Sequence, residues 1–404
     1  MGRDAVSGAI QLGLDSGMAL IRIRTIRNRV ALTILNLFAV AANRNRRHAP
    51  RGNSQNENVA RILVVELWNI GDVILAMPFL AHLRYLFPRA RITLLAKPFA
   101  ADLLAGTGLV DDYIHADLAW APADRATAPR KAIDLWRVSR TLRRHNFDVA
   151  FSSRPHLREH LLLVLSGANR RVGLSMRHAS RALTDPIQVG SGQRHKVQDW
   201  MRLLQPFGGA SSIDLARLQV AESERMWATG YLASNDVQAS DLLIGIHPGA
   251  SLPEKRWPLE QFREVATAIV GEPGVRVLAL AEPSGYGSEL FAVQGLIGAQ
   301  VGLRELIALI DRCDLLVCND SGPMHIAGAL GVPTVAMFGQ GIERWFAPLG
   351  EGHVMLMPDA KSSSGLGSRS GGIRAPTGIS NAQVLAAIER TMQRLRNDHT
   401  FSSL

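Results

Sequence analysis

Val317-Cys318-Asn319-Asp320-Ser321-Gly322-Pro323-Met324-His325-Ile326-Ala327-Gly328-Ala329-Leu330 reads as the end of a strand, a turn and the start of a helix. The apolar run Leu315 to Cys318 suits a buried strand, Asn319 to Gly322 supply turn chemistry, and Pro323 opens a helix where its missing N–H costs nothing. Free amides at such a helix start, at the carboxyl end of a strand, favour a phosphate or diphosphate. Ser321 and Gly322 belong to this anion-binding turn, His325 can donate to a phosphate oxygen, and Asp320 can accept hydroxyls from a sugar. A plainer reading has Asp320 and Ser321 capping the helix and nothing more.

The same alternation surrounds this stretch. Leu242 to Ile246 reads as a strand that delivers His247-Pro248-Gly249-Ala250-Ser251 into a loop ending Lys255-Arg256-Trp257-Pro258. A helix at 259–270, a strand at 275–281, a helix at 303–311 and a strand at 333–338 complete a second α/β domain, 226–396. Its closing helix, 381–395, places Val384, Leu385, Ile388, Met392 and Leu395 on one side, so it should pack. The Ser- and Gly-rich segment 361–376 reads as a flexible surface loop, and 397–404 as a tail.

A first domain, 59–225, opens on the strand Arg61 to Leu67, the turn Trp68-Asn69-Ile70-Gly71, and a helix begun by Asp72 with Val73, Met77, Leu80 and Phe87 at helical spacing. Strands at 91–96, 110–115 and 148–152 follow, with a helix at 132–144. No GxGxxG follows the first strand, which argues against a dinucleotide-dependent dehydrogenase.

Composition sets outer limits. With 404 residues, 47% hydrophobic and 20% charged, the chain can form two ordinary domains and an appendage. Nine arginines in residues 1–58 stand against Asp4, Asp15 and Glu57, a net of +6 of the total +10, so the body gives little support for nucleic-acid binding. The apolar run Val30 to Ala42 is shorter than the roughly 20 residues a spanning helix needs. Residues 20–50 therefore suit a basic amphipathic stretch lying on an anionic membrane face, or else an extension without fixed structure. Cys313 and Cys318 have neither zinc-site spacing nor a disulfide framework around them, and a reduced, buried, cytoplasmic state is expected.

Three segments together resemble the family 9 glycosyltransferases, the ADP-heptose:lipopolysaccharide heptosyltransferases and their relatives: Asn69-Ile70-Gly71-Asp72-Val73, His247-Pro248-Gly249-Ala250 with Lys255-Arg256-Trp257-Pro258, and Asn319 to His325. The resemblance spans residues 60 to 396 and implies the α/β GT-B fold, two Rossmann-like domains facing across a cleft, with acceptor on the first and nucleotide sugar on the second. It further implies an inverting reaction without a metal or other cofactor. A heptose, or a related sugar, would move from ADP-heptose or a similar donor to a lipopolysaccharide core or comparable glycolipid, at the cytoplasmic face of a membrane.

The chemistry agrees with that implication. Cleaving a sugar–diphosphate bond puts negative charge on the departing group, which Lys255 and the helix start Ser321 to His325 can neutralise. The acceptor hydroxyl must lose a proton, and Asp72 matches the family's aspartate in the first Gly-Asp-Val turn; as an alternative it caps the following helix. Asn69 and Gly71 fall on the acceptor side, and Ser251 can reach phosphate. Where relatives hold the ribose with a glutamate, this chain offers Glu282 or Glu289. Asp111-Asp112 reads as solvated and structural rather than metal-binding, and His247, beside Pro248, as structural. A sugar-nucleotide epimerase or hydrolase on the same fold, and a scaffold that binds nucleotide sugars without turnover, are the competing readings.

Overall fold

The computed structural model describes residues 59–116, 128–175, 180–190, 194–209, 213, 215–339, 343–358 and 376–402. The basic segment 1–58 and most of the 361–376 loop lie outside them. Twelve strands are described: β1 (Arg61–Glu66), β2 (Arg91–Ala96), β3 (Asp112–His115), β4 (Val149–Ser152), β5 (Arg170–Ser175), β6 (Asp185–Gln188), β7 (Leu242–His247), β8 (Val275–Leu280), β9 (Ile297–Ala299), β10 (Leu315–Asn319), β11 (Thr334–Met337) and β12 (Val354–Leu356). The helices used below are α1 (Ile70–Leu86), α2 (Phe99–Leu103), α3 (Ala128–Arg144), α4 (Leu157–Leu165), α5 (Lys196–Arg202), α6 (Glu222–Ala233), α7 (Leu259–Ile269), α8 (Leu303–Asp311), α9 (Gly322–Leu330), α10 (Glu343–Phe346) and α11 (Asn381–Ser402).

The strands form two parallel six-stranded sheets of GT-B type, ordered β3-β2-β1-β4-β5-β6 and β12-β11-β10-β7-β8-β9. Read from its other edge, the second sheet repeats the topology of the first. Each has one point where the order reverses, between β1 and β4 and between β7 and β10, and ligands of open α/β sheets collect beyond the carboxyl ends of the strands there. β1 ends just before Asn69, β7 at His247 and β10 at Asn319. The three motifs therefore follow strands that flank the two reversals.

Burial follows from the parallel arrangement, in which helices cover both faces and strands become continuous apolar runs. β7 and β10 are buried throughout. Over the second sheet, α7 contributes Phe262, Val265, Ala266 and Ile269, at helical spacing, while α11 contributes Val384, Ala387, Ile388 and Met392. Leu385 and Leu395 pack at the edge of this core, as expected of the closing helix.

By contacts, the described residues of Met1–Val65 and Trp120–Gly190 make one compact unit, and those of Glu66–Ala119 and Ser191–Leu404 another. Every candidate site residue falls in the second unit.

Some local expectations change. The first helix begins at Ile70 with Asn69 as N-cap, so Asp72 occupies its first turn rather than starting it. β5, β6, β9 and β12 were not expected. Asp111 and Asp112 are indeed structural. Asp111 pairs with Arg84 at 2.7 Å and accepts the Ile92 amide, and Asp112 takes both arms of Arg91.

Candidate active site

Two helix starts meet at the site. Asn69, extended at φ −98°, occupies the N-cap of α1 without a side-chain cap bond, while the Asp72 carboxylate accepts the Asn69 N–H at 3.2 Å, the acidic half of a capping box. Ser321, also extended, occupies the N-cap of α9, but its hydroxyl makes no cap bond. Buried, Ser321 Oγ has no partner among the described residues, and neither has Nδ1 of His325. Buried donors without partners are rare enough to call for a ligand or a function.

The helices pack closely. The His325 ring lies directly on Gly71, where an added Cβ would stand 2.8 Å from Nε2, and the Ile70 side chain rests against Gly322. Gly71 is thus a packing residue, which the turn reading did not foresee. Ala in its place should lower stability by about 1–3 kcal/mol, since the buried imidazole has nowhere to retreat. Chemical denaturation measures this, and unchanged stability would show that the two helix ends adjust freely.

Lys255 ends a short 3₁₀ turn, Pro253–Lys255, and donates to Asp320 Oδ2 at 2.7 Å. The lysine side chain is 18% exposed and the aspartate 5%. Asp320 therefore does not cap α9. With three N–H donors, one spent on Asp320, Lys255 retains donors for an oxyanion. Asn319 is the clamp that sets this geometry. Fully buried, it accepts the Trp257 N–H at 2.9 Å and donates to the Pro248 carbonyl at 2.7 Å, so three chain segments share one side chain.

Glu282 reaches over Gly249, where a Cβ would stand 2.7 Å from its carboxyl carbon. It pairs with Arg256 at 3.2 Å and accepts from Ser284, while Arg256 lies 4.0 Å above the Tyr286 ring. Glu289 instead accepts the amide of Gly287 within its own turn. Ser251 is exposed in the loop after β7. Asn69 Oδ1 accepts from Lys97 at 3.3 Å. Among the described residues no three His, Cys, Asp or Glu side chains stand together as a metal site.

The sequence profile of glycosyltransferase family 9 (heptosyltransferase) matches residues 135–365, more than half of the chain. The chain belongs to that family. The lipopolysaccharide core heptosyltransferase OpsX of Haemophilus influenzae is 22% identical over 295 residues, covering 69% of this chain and 78% of OpsX. Lipopolysaccharide heptosyltransferase 2 of Escherichia coli K12 is 24% identical over 311 residues, covering 72% and 85%. Among solved structures, a family 9 glycosyl transferase from Veillonella parvula superposes with TM-score 0.70 at 25% identity, covering 85% of this chain and all of that one. The E. coli ADP-heptose lps heptosyltransferase II superposes with TM-score 0.63 at 21% identity, covering 83% and 99%.

In this glycosyltransferase burial holds His325 neutral rather than cationic. Burial pushes its imidazole down to about 4, against the opposing pull of Asp320 and Asp72; His247, also buried, is pushed down to about 4. Both folded values lie below the usual 6.5 of the unfolded chain, so below that pH the unfolded state takes up protons that the folded state refuses. Stability is then full above pH 6.5 and falls as pH drops toward 4. Each histidine accounts for about 2 kcal/mol between pH 7 and pH 5. His325→Gln should flatten the fall by about that amount in denaturation at the two pH values, and an unaltered slope would place the acid sensitivity elsewhere.

Sequence reasoning missed Lys97 and His195. His195 caps α5, its Nδ1 accepting the Val197 amide and its Nε2 donating to the Ala347 carbonyl at 2.9 Å. It lies near enough to His325 to act on its charge. Neither residue sits in a motif, and only the fold brings them to the two helix starts.

Proposed function

We propose that this enzyme transfers a heptose or related sugar from a nucleotide donor, ADP-heptose, to a lipopolysaccharide core or similar glycolipid, with inversion and without a metal. One observation carries the reading: Asp72, in the first turn of α1, and Lys255, paired with Asp320 just before α9, both act on the charge of His325, whose helix start also holds the unpartnered Ser321 Oγ. Asp72 takes the proton from the acceptor hydroxyl, and that oxygen bonds to the anomeric carbon. The bond to the diphosphate breaks, its electron pair leaving with the nucleotide. Lys255, Ser321 and the free amides of α9 meet the charge that develops on the departing group. A single displacement with one base attacks from the face opposite the leaving group, which gives inversion.

Glu282, held over Gly249 by Arg256, is the better placed of the two glutamates to receive ribose, since Glu289 is engaged with its own turn. Asp320 accepts sugar hydroxyls beside Lys255, and Ser251 approaches phosphate from the exposed loop. In this reading residues 59–225 hold the acceptor, with Asn69 and Gly71 at its edge, and 226–396 hold the donor. Among the described residues no helix is long and apolar enough to cross a membrane. A peripheral enzyme on the cytoplasmic face, with residues 20–50 on anionic lipid, fits the glycolipid acceptor.

Purified protein with ADP-heptose and heptose-deficient lipopolysaccharide should add one heptose to the lipid, seen by mass spectrometry, at an unchanged rate in EDTA. Donor cleaved or epimerised in the absence of acceptor, with no lipid product, would favour the hydrolase or epimerase reading.

A further inference from the structure

α3 carries a surface that the sugar-transfer reading does not use. Its inner side is fixed, because Leu142 is buried there and the helix packs on α4; Arg143, exposed beside Trp136 at the edge of the outer face, donates from Nε to the Leu165 carbonyl at 3.2 Å. At 100° per residue, Trp136, Arg140, Arg144 and Arg137 fall within one arc of about 100° on the opposite side. All four are exposed, Trp136 by 60%, and the Arg140 guanidinium lies 5.5 Å over its ring. Arg137 pairs at 3.7 Å with Asp134, both side chains solvated. From Asp134 to Arg144 four arginines face one acid, a net of +3.

We infer that this outer face of α3 docks on a membrane surface bearing anionic lipid headgroups. The charge is complementary to lipid phosphate, and arginine stems lie along apolar surface while their heads reach the phosphates. An indole projecting from a basic helix matches the headgroup layer, where tryptophan concentrates because one end of its ring system is apolar and the other polar. A nucleic acid would call for a groove lined with stacking rings, whereas this is a convex helix face. The surface is distinct from residues 20–50 and does not depend on the donor assignment, since lipid binding is measured without donor or acceptor.

Full-length protein is sedimented with vesicles of phosphatidylcholine containing about one third phosphatidylglycerol. Each arginine removed should weaken partitioning about five-fold, so Arg137→Gln, Arg140→Gln and Arg144→Gln together should weaken it about a hundred-fold. Brominated acyl chains should quench tryptophan emission in the parent and much less in Trp136→Phe. If the triple variant melts early, Arg140→Gln alone, about five-fold weaker, decides. Partitioning unchanged by these substitutions, equal binding to neutral vesicles, or quenching unaltered in Trp136→Phe overturns the inference. So does binding abolished by deleting residues 1–58 alone, or a preference for single-stranded oligonucleotides over vesicles.

Discussion

Asp72→Asn should lower kcat by about two to four orders of magnitude, the usual contribution of a positioned base, while donor affinity and thermal stability hold. The substitution separates the two roles the residue plays. As the acidic half of the capping box, Asp72 needs only an oxygen that accepts the Asn69 N–H, and the asparagine amide supplies one. As a base it needs a second, proton-accepting oxygen, and the amide nitrogen cannot serve. Asp72→Ala should lose both, adding about 1 kcal/mol of destabilisation from the lost cap. Isothermal titration of donor, denaturation and turnover on heptose-deficient lipopolysaccharide distinguish these outcomes. Parent-like turnover in Asp72→Asn would reduce the residue to its cap.

The contrast between cap and base also shows what the sequence could and could not say. Strand, turn and helix around Asn69 and around Asp320 were legible because apolar runs and turn residues are local signals. The register of α1 was not, because Gly71 resembles a turn glycine until His325 is known to lie on it. Likewise the sequence presented Lys255 and Asp320 as separate ligands for phosphate and sugar, 65 positions apart, yet they form a pair. Asn319 looked like turn chemistry and is a buried clamp joining Pro248 to Trp257. Such long-range contacts leave no periodic trace. What can be read is the residue type that makes them possible.

That pairing makes Lys255 the second decisive position. Lys255→Met should cost about two to three orders of magnitude in kcat, because a donor to the developing oxyanion is gone. It should also destabilise the fold by about 3 kcal/mol, since Asp320, nearly buried, is left without its counter-charge. Activity and stability would then fall together, and the single variant cannot say whether Lys255 acts on the leaving group or merely neutralises Asp320. Adding Asp320→Asn removes the orphaned charge, so the double variant should recover most of the stability. Turnover separates the two roles. If Lys255 stabilises the departing diphosphate, the double variant stays as slow as Lys255→Met, with a weakened grip on donor. Recovery of both stability and rate would show that the lysine serves only its partner, leaving the leaving-group charge to Ser321 and the amides of α9.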